Sequence, residues 1–102
     1  GVNLSYVILE PLHRPKRLPL RVKMVNTNLQ TANLAGATLR GADLTAANLS
    51  GATLLGANLS GTNFTDANLS LAKVQPDALA KSFLCRTVLP NKKVDSTNCS
   101  GN

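Results

Sequence analysis

The middle of the chain carries an apolar residue at every fifth position. The series consists of Leu29, Leu34, Leu39, Leu44, Leu49, Leu54, Leu59, Phe64 and Leu69, with Met24 and Val74 extending it at the two ends. A small residue stands two positions before each member, in most repeats an alanine such as Ala32 or Ala57. Asn, Asp or Thr usually precedes the leucine, and Ser, Thr, Gly or Ala fills most other positions. An internal repeat of fixed period is the sequence signature of a repeat fold, so it is the strongest indication of the fold class.

A period of five fits neither an α-helix nor a flat strand. Five residues of α-helix rotate by about 140° beyond a full turn, so the leucines would spiral around every face. On a strand, an odd step sends alternate leucines to opposite faces. All of them point inward only if the chain turns a corner in each repeat, and Gly36 and Gly56 stand where such a corner needs unusual dihedral angles. The alternative, a disordered linker rich in Gly, Ser and Thr, conflicts with the unbroken apolar series.

Two of the repeats show a family resemblance most clearly. Residues 32–36 (Ala-Asn-Leu-Ala-Gly) and 57–61 (Ala-Asn-Leu-Ser-Gly) closely resemble the pentapeptide-repeat family, whose pattern is A-D/N-L-x-x. The resemblance runs from near Val22 to Val74. It implies an all-β fold, a short right-handed quadrilateral β-helix with four repeats per coil. The stacked residues would then be Leu29, Leu49 and Leu69 in one internal column, Met24, Leu44 and Phe64 in another, and Asn28, Asn48 and Asn68 in an amide ladder.

The repeat divides the chain into three parts. Residues 1–21 form an extended basic arm, residues 22–74 form the solenoid, and residues 75–102 form a capping tail. A cap is needed because a solenoid end exposes unpaired backbone groups and the rim of its core. In the tail the period of five continues more weakly through Leu79, Leu84, Leu89 and Val94. Asp77 is expected to cap a short helical turn that holds Leu79 and Phe83.

Cys85 and Cys99 are the only cysteines of the chain. The residues alone leave two interpretations open, inert thiols in a reducing compartment or a disulfide in an oxidising one. The stretch that begins at Cys85 resembles an ending of cyanobacterial and plastid pentapeptide-repeat proteins, F-C-x-T-x-x-P-D/N-G followed by a second cysteine. Lys92 stands in place of the glycine, which leaves the form of that turn open. The resemblance implies a Cys85–Cys99 disulfide and an oxidising compartment, a thylakoid lumen or a periplasm.

The positive charge lies at the two ends of the chain. The formal net charge is +6, yet residues 24–74 are neutral overall. The cations of the N-terminal region, which we predict to bind a partner, are Arg14, Lys16, Arg17, Arg21 and Lys23. Pro11, Pro15 and Pro19 exclude a helix there and favour extended chain. Tyr6 to Leu9 are expected to form a short strand, and the arm would pack either on the solenoid or on a partner.

Catalytic chemistry has few candidate residues. The single histidine, His13, lies in the proline-rich arm, the five acidic residues are scattered, and no nucleophile–base pair is recognisable. We therefore predict no enzyme, no cofactor and no small-molecule substrate. We also predict no metal site, since two cysteines and the distant His13 supply too few ligands.

A protein-interaction role is the function the sequence favours. We expect a non-catalytic structural module, a small lumenal subunit or assembly factor at the periphery of a photosynthetic membrane complex. Leu55 and Leu71 stand at outward positions of the repeat and are predicted partner contacts. No apolar run approaches the roughly 20 residues of a transmembrane helix. No signal peptide opens the chain, so an exported protein would be the mature form.

Two alternative functions remain. Some pentapeptide-repeat proteins mimic DNA and bind topoisomerases, but mimicry needs a strongly negative surface and this solenoid is neutral. Direct binding of nucleic acid through the basic ends would lack stacking aromatic residues, which disfavours it. Attachment of the arm to an anionic membrane surface would lack the usual amphipathic helix, because of the prolines.

Overall fold

The computed structural model describes residue 3 and residues 23–99. Arg14, Lys16, Arg17 and Arg21 lie outside the described residues, as do the predicted strand from Tyr6 to Leu9 and the prolines of the arm. Among the five predicted partner-binding cations, Lys23 alone belongs to the described residues, and it is exposed.

The repeats wind into a right-handed quadrilateral β-helix, as predicted. Parallel bridges connect residues that lie one full coil apart, such as Asn28 with Asn48 and Asn48 with Asn68. The Leu29 N–H donates to the Asn48 carbonyl at 2.7 Å, and the Asn48 N–H donates to the Thr27 carbonyl at 2.9 Å. This ladder carries the chain up the axis by about 4.8 Å per coil.

Each coil has four sides, which we number by their bridged residues. Side 1 holds Lys23, Asp43, Asn63 and Phe83; side 2 holds Asn28, Asn48, Asn68 and Val88; side 3 holds Asn33, Thr53 and Lys73; side 4 holds Thr38 and Asn58. On side 3, Asn3 also forms a parallel bridge with Asn33. The numbering fixes which surface residues share a side, and the candidate site depends on it.

The interior consists of stacked leucines separated by alanines. Leu49 and Leu69 are fully buried in one predicted column, and Leu44 and Phe64 are fully buried in another. Burial of one such leucine contributes about 1.5–3 kcal/mol before the loss of chain entropy. Thr62 occupies an alanine position with no exposure, and its Oγ1 donates to the Leu39 carbonyl at 2.7 Å. A narrow core without voids explains why each repeat needs one large and one small apolar residue.

A tight turn forms each corner. The Ala32 N–H donates to the Leu29 carbonyl at 3.0 Å, and the residue before Ala32 has a positive φ, the geometry of a type II turn. The equivalent residue of every corner from Asn26 to Leu71 also has a positive φ. Glycines occupy several of these positions, as the sequence predicted, with φ between 69° at Gly36 and 73° at Gly56.

The asparagines before the leucines stack as predicted, but their side-chain oxygens act locally. Asn48 Oδ1 accepts the N–H of Ser50 at 3.0 Å, and Asn68 Oδ1 accepts the N–H of Ser70 at 2.9 Å. Asp43 does the same for the N–H of Thr45 at 3.1 Å. The side-chain oxygen therefore satisfies the first backbone donor of the corner, which is the physical reason for Asn or Asp at this position.

A short helix takes the place of side 4 in the third coil. Helix α1 spans Pro76–Ala80, and its N-cap is Gln75, so the prediction that Asp77 caps it was wrong. Proline at the first helical position has a suitable φ and no N–H to satisfy, which starts the helix one residue before Asp77. Leu79 is buried as predicted, whereas Phe83 lies beyond the helix and is 39% exposed.

The tail reverses direction after the fourth coil begins. Strand β1, Thr87–Val88, pairs antiparallel with β2, Val94–Asp95. Leu84 is buried and Leu89 half-buried, but Val94 is 61% exposed, so the inward period does not extend to it. The reason is the hairpin turn, in which the Lys92 N–H donates to the Leu89 carbonyl at 2.7 Å. Lys92 itself has a φ of 72°, the conformation of the glycine it replaces.

Candidate interaction surface and capped end

Both exposed leucines border the same side of the solenoid. Leu71 is the corner residue that leads into side 3 in the third coil, and Leu55 is a corner residue that follows side 3 in the second coil. Their exposed fractions are 64% and 45%. The sequence pattern predicted that each would face outward, but it did not show that they share a side.

The part of side 3 between the two leucines is short and polar. Thr53 and Lys73 are bridged neighbours in its second and third coils, and Lys73 is exposed. None of the acidic residues that the structure describes lies in residues 51–55 or 71–75. The surface therefore combines exposed apolar borders with a positive centre.

The hairpin turn extends this positive surface. The Leu71 N–H donates to the Pro90 carbonyl at 3.0 Å, which holds the turn above that corner. Lys92 and Lys93 follow in this turn and are exposed. The Leu89 N–H donates to the Lys93 carbonyl at 2.7 Å, so the position of the turn is fixed by backbone bonds from two directions.

The tail supplies hydrogen-bond acceptors to the last coil. In lower coils the N–H groups equivalent to those of Leu84 and Arg86 donate to the backbone of the next coil, as the Leu44 N–H does to Asn63 at 2.8 Å. Here the Leu84 N–H donates to Asn98 Oδ1 at 2.9 Å, and the Arg86 N–H donates to Ser96 Oγ at 3.3 Å. Side-chain oxygens of the tail thus replace a further coil.

A disulfide between Cys85 and Cys99 attaches this tail to the fourth coil, and the bond is as predicted. Cys85 is buried, and its N–H donates to Thr87 Oγ1 at 3.1 Å. Thr87 Oγ1 in turn donates to the Phe64 carbonyl at 2.7 Å, within the core. The covalent link therefore joins the end of the tail to the first residues of the fourth coil.

An ion pair lies on the corner between sides 1 and 2. Arg86 Nε and Nη2 donate to the two carboxylate oxygens of Asp66 at 2.7 and 3.1 Å. The hydrogen bond from Arg86, assisted by its charge, lowers the pKa of Asp66, and Asp66 raises the pKa of Arg86. Both side chains are about half exposed, so solvent screens the pair and it adds little stability.

Replacing Arg86 with alanine is expected to raise the pKa of Asp66 towards its ordinary value, because the bidentate hydrogen bond is lost. The folded-state pKa of Asp66 is depressed, so its small contribution to stability is present above the unfolded-state pKa. That contribution is lost as the pH falls through the folded value. A pH titration of the carboxyl carbons by NMR measures the change.

Asp95 is the internal control for this titration. The side-chain and backbone hydrogen bonds from Thr97 lower the pKa of Asp95, and Arg86 is not among the causes. Its titration should be the same in the wild type and in Arg86→Ala. An unchanged pKa of Asp66 in the variant would contradict the assignment of the shift to the ion pair.

An open groove of about 430 Å³ lies between helix α1 and side 4. Asn58 and Ala78 line it, with Asp77 and Lys81 also at its wall. Gln75 Oε1 accepts the N–H of Gly56 at 3.2 Å, which attaches the start of the helix to the corner below. The groove contains one carboxylate and one ammonium group but no histidine or cysteine.

Sequence reasoning missed three exposed apolar side chains. Val25, Phe83 and Val94 are 43%, 39% and 61% exposed. The sequence pattern places Phe83 in a helical turn and Val94 in the inward series, so it gives no signal for their exposure. Across residue 3 and residues 23–99, no cluster of metal-ligating side chains and no helix of membrane-spanning length and hydrophobicity is found.

Comparison with known proteins gives one family and one fold. A family model described as pentapeptide repeats matches residues 21–51 and 42–75, with eight copies of the repeat. No curated protein matches the chain. Among solved structures, the chain resembles HetL from the cyanobacterium Nostoc sp. strain PCC 7120, a pentapeptide-repeat protein involved in the regulation of heterocyst differentiation. The TM-score is 0.57 and the identity 22%, with 91% of this chain and 51% of HetL covered, so the chain spans about half of HetL.

Proposed function

Since this chain belongs to the pentapeptide-repeat family, we infer that it is a protein-interaction module that works in an oxidising compartment, a thylakoid lumen or a periplasm. In detail, we propose a small non-catalytic subunit or assembly factor at the periphery of a photosynthetic membrane complex. The basic N-terminal residues and the exposed leucines would contact an acidic face of that partner.

The observation that carries the proposal is the Cys85–Cys99 disulfide. Structural disulfides persist in oxidising compartments and are rare where glutathione and thioredoxin keep thiols reduced. The bond fixes the segment after β2 against the fourth coil, where the Asn98 N–H donates to the Leu84 carbonyl at 2.9 Å. A short scaffold held in this way presents fixed surfaces, which suits a docking role.

The role of the basic residues is tested by membrane co-sedimentation at low and high salt. Wild-type protein, added to photosynthetic membranes, should sediment with them at low salt and be released by high salt, because exposed charges are screened. The triple variant Arg14→Ala, Lys16→Ala, Arg17→Ala should remain in the supernatant. A double variant Arg40→Ala, Lys81→Ala, which changes one cation of the solenoid and the C-cap residue of α1, is the matched control and should behave as wild type.

The compartment is tested separately by thiol labelling of the native protein in intact cells or organelles. Both cysteines should resist labelling until a reductant is added. Two freely labelled thiols would refute the oxidising compartment, and binding that neither salt nor the triple variant affects would refute docking through the basic residues.

A further inference from the structure

We propose that side 3, bordered by Leu55 and Leu71, is the docking surface for an acidic protein that offers apolar pockets to both leucines. This proposal deepens the interaction role inferred above and rests on it.

The backbone of Leu71 provides the first argument. Leu71 has a φ of 62°, in the left-handed region, whereas Gly51 occupies the same corner one coil below with a φ of 72°. A leucine is strained in this region, and glycine is not. The Leu71 side chain also gains little from burial, because it is 64% exposed. Thr31 and Ala46 also have a positive φ at corners. Among the described corner residues, however, Leu71 alone combines it with a large, mostly exposed apolar side chain, which points to a role in binding.

The positions of the two leucines provide the second argument. Leu71 lies four residues before Gln75, the residue that stands above Leu55 in the stack, so at most about 14 Å separates the two borders along the side. One coil adds about 4.8 Å along the axis. A single partner surface therefore reaches both side chains, and the backbone ladder holds their spacing constant.

The charge of the surface identifies the partner as acidic. Lys73 is exposed between the borders, and Lys92 and Lys93 are exposed in the turn above Leu71. Asp66, the acidic residue at a neighbouring corner of the third coil, is already paired with Arg86. A positive surface with apolar anchors is complementary to an acidic surface with apolar pockets.

The remaining sides of the described coils are occupied or different in character. Strand β2 pairs with β1 beside side 2, and α1 takes the place of side 4 in the third coil. Side 1 carries Asp43 between the exposed Lys23 and Phe83, so its charge is mixed. A protein fits side 3 better than a lipid surface does, because a membrane accepts apolar side chains at any spacing and gains nothing from a fixed pair.

The test uses the full chain and two defined probes. The first is a peptide of about twelve Asp, Glu, Leu and Trp residues, with a counterpart in which Asn and Gln replace the acids. The second is a phosphatidylglycerol vesicle. Amide chemical shifts in ¹H–¹⁵N NMR spectra locate the binding. We expect the acidic peptide to shift residues 53–55 and 71–73, and the neutral peptide and the vesicles to leave them unchanged.

The variant Leu71→Gly removes the anchor and the strain together. Its affinity for the acidic peptide should fall at least about tenfold, and its melting temperature should equal or exceed that of wild type. Ala46→Gly is the matched control, since Ala46 also has a positive φ of 60° but lies at the corner between sides 1 and 2. It should show the same thermal gain with unchanged affinity, which separates binding from folding.

Three results would each overturn the proposal. In the first, Leu71→Gly binds the acidic peptide as tightly as wild type does. In the second and third, the peptide shifts residues of the α1 groove in place of side 3, or vesicles bind through Leu71 while the peptide does not. Membrane co-sedimentation distinguishes this failure from that of the proposed function. If wild type and Leu71→Gly sediment equally, the interaction role stands and side 3 is not its surface. If wild type does not sediment at all, the proposed function itself fails.

Discussion

Replacing Phe64 with alanine is expected to lower the free energy of unfolding by about 3–5 kcal/mol. Phe64 is fully buried, and it is the largest side chain of the core. Its N–H donates to the Phe83 carbonyl at 2.9 Å, and its carbonyl accepts the N–H of Ala67 at 2.9 Å. The first bond fixes the spacing to the next coil and the second fixes the corner, so the neighbours relax little and a cavity remains. Urea denaturation followed by circular dichroism measures the loss.

The variant Phe64→Leu is the matched control for the cavity. It restores the residue that most other repeats carry at this position, and the smaller volume change should cost less than about 1.5 kcal/mol. If alanine and leucine at residue 64 cost the same, the core would be able to collapse around the site, and the fixed-ladder argument would be incorrect.

Removing the disulfide should cost about 3 kcal/mol of folding free energy. Cys85 and Cys99 are 14 positions apart, and closing a loop of this length restricts the unfolded chain by about that amount. The double variant Cys85→Ala, Cys99→Ala should therefore unfold at a markedly lower temperature than the oxidised wild type. Thermal unfolding followed by circular dichroism, with and without a reductant, measures the difference.

The reductant provides the control in the same experiment. It should lower the melting temperature of wild type and leave the double variant unchanged, because that variant has no bond to break. A double variant as stable as oxidised wild type would show that the hydrogen bonds from Asn98 and Ser96 suffice to hold the tail.

The repeat predicted the core because each inward residue follows from its neighbour by the same rule. Once Leu29 faces the axis, so must Leu34 and every later member, and one corner is required for each repeat. The number of corners per coil is not contained in that rule. It came from the family resemblance, and it decides which residues stack.

The candidate surface depends on that same number. Leu55 and Leu71 are distant in sequence, and only a circuit of four repeats brings them to opposite borders of one side. Their outward direction was therefore predictable from the period, but their common side was not. The predicted basic arm remains a prediction, since Arg14, Lys16, Arg17 and Arg21 lie outside the described residues.

The tail was the least predictable part because it leaves the repeat. Pro76 starts α1 ahead of Asp77 through its fixed φ, a local effect that the capping pattern did not reveal. Lys92 adopts a glycine-like φ because the hairpin bonds on both sides require it. Val94 faces solvent since the strand runs antiparallel there, which ends the inward series.

The hydrogen-bond acceptors that Asn98 and Ser96 provide to the fourth coil limit which insertions or deletions of repeats the chain can accept. Every coil presents the same donors upward, so the tail would fit the top of a longer stack equally well. Duplication of four repeats would move the tail by one coil along the axis and leave its rotational position about the axis unchanged. Duplication of one repeat would rotate the tail by a quarter turn about the axis relative to the first coil. Length in this molecule is therefore free to vary only in whole coils, if the orientation of its two ends is to be preserved.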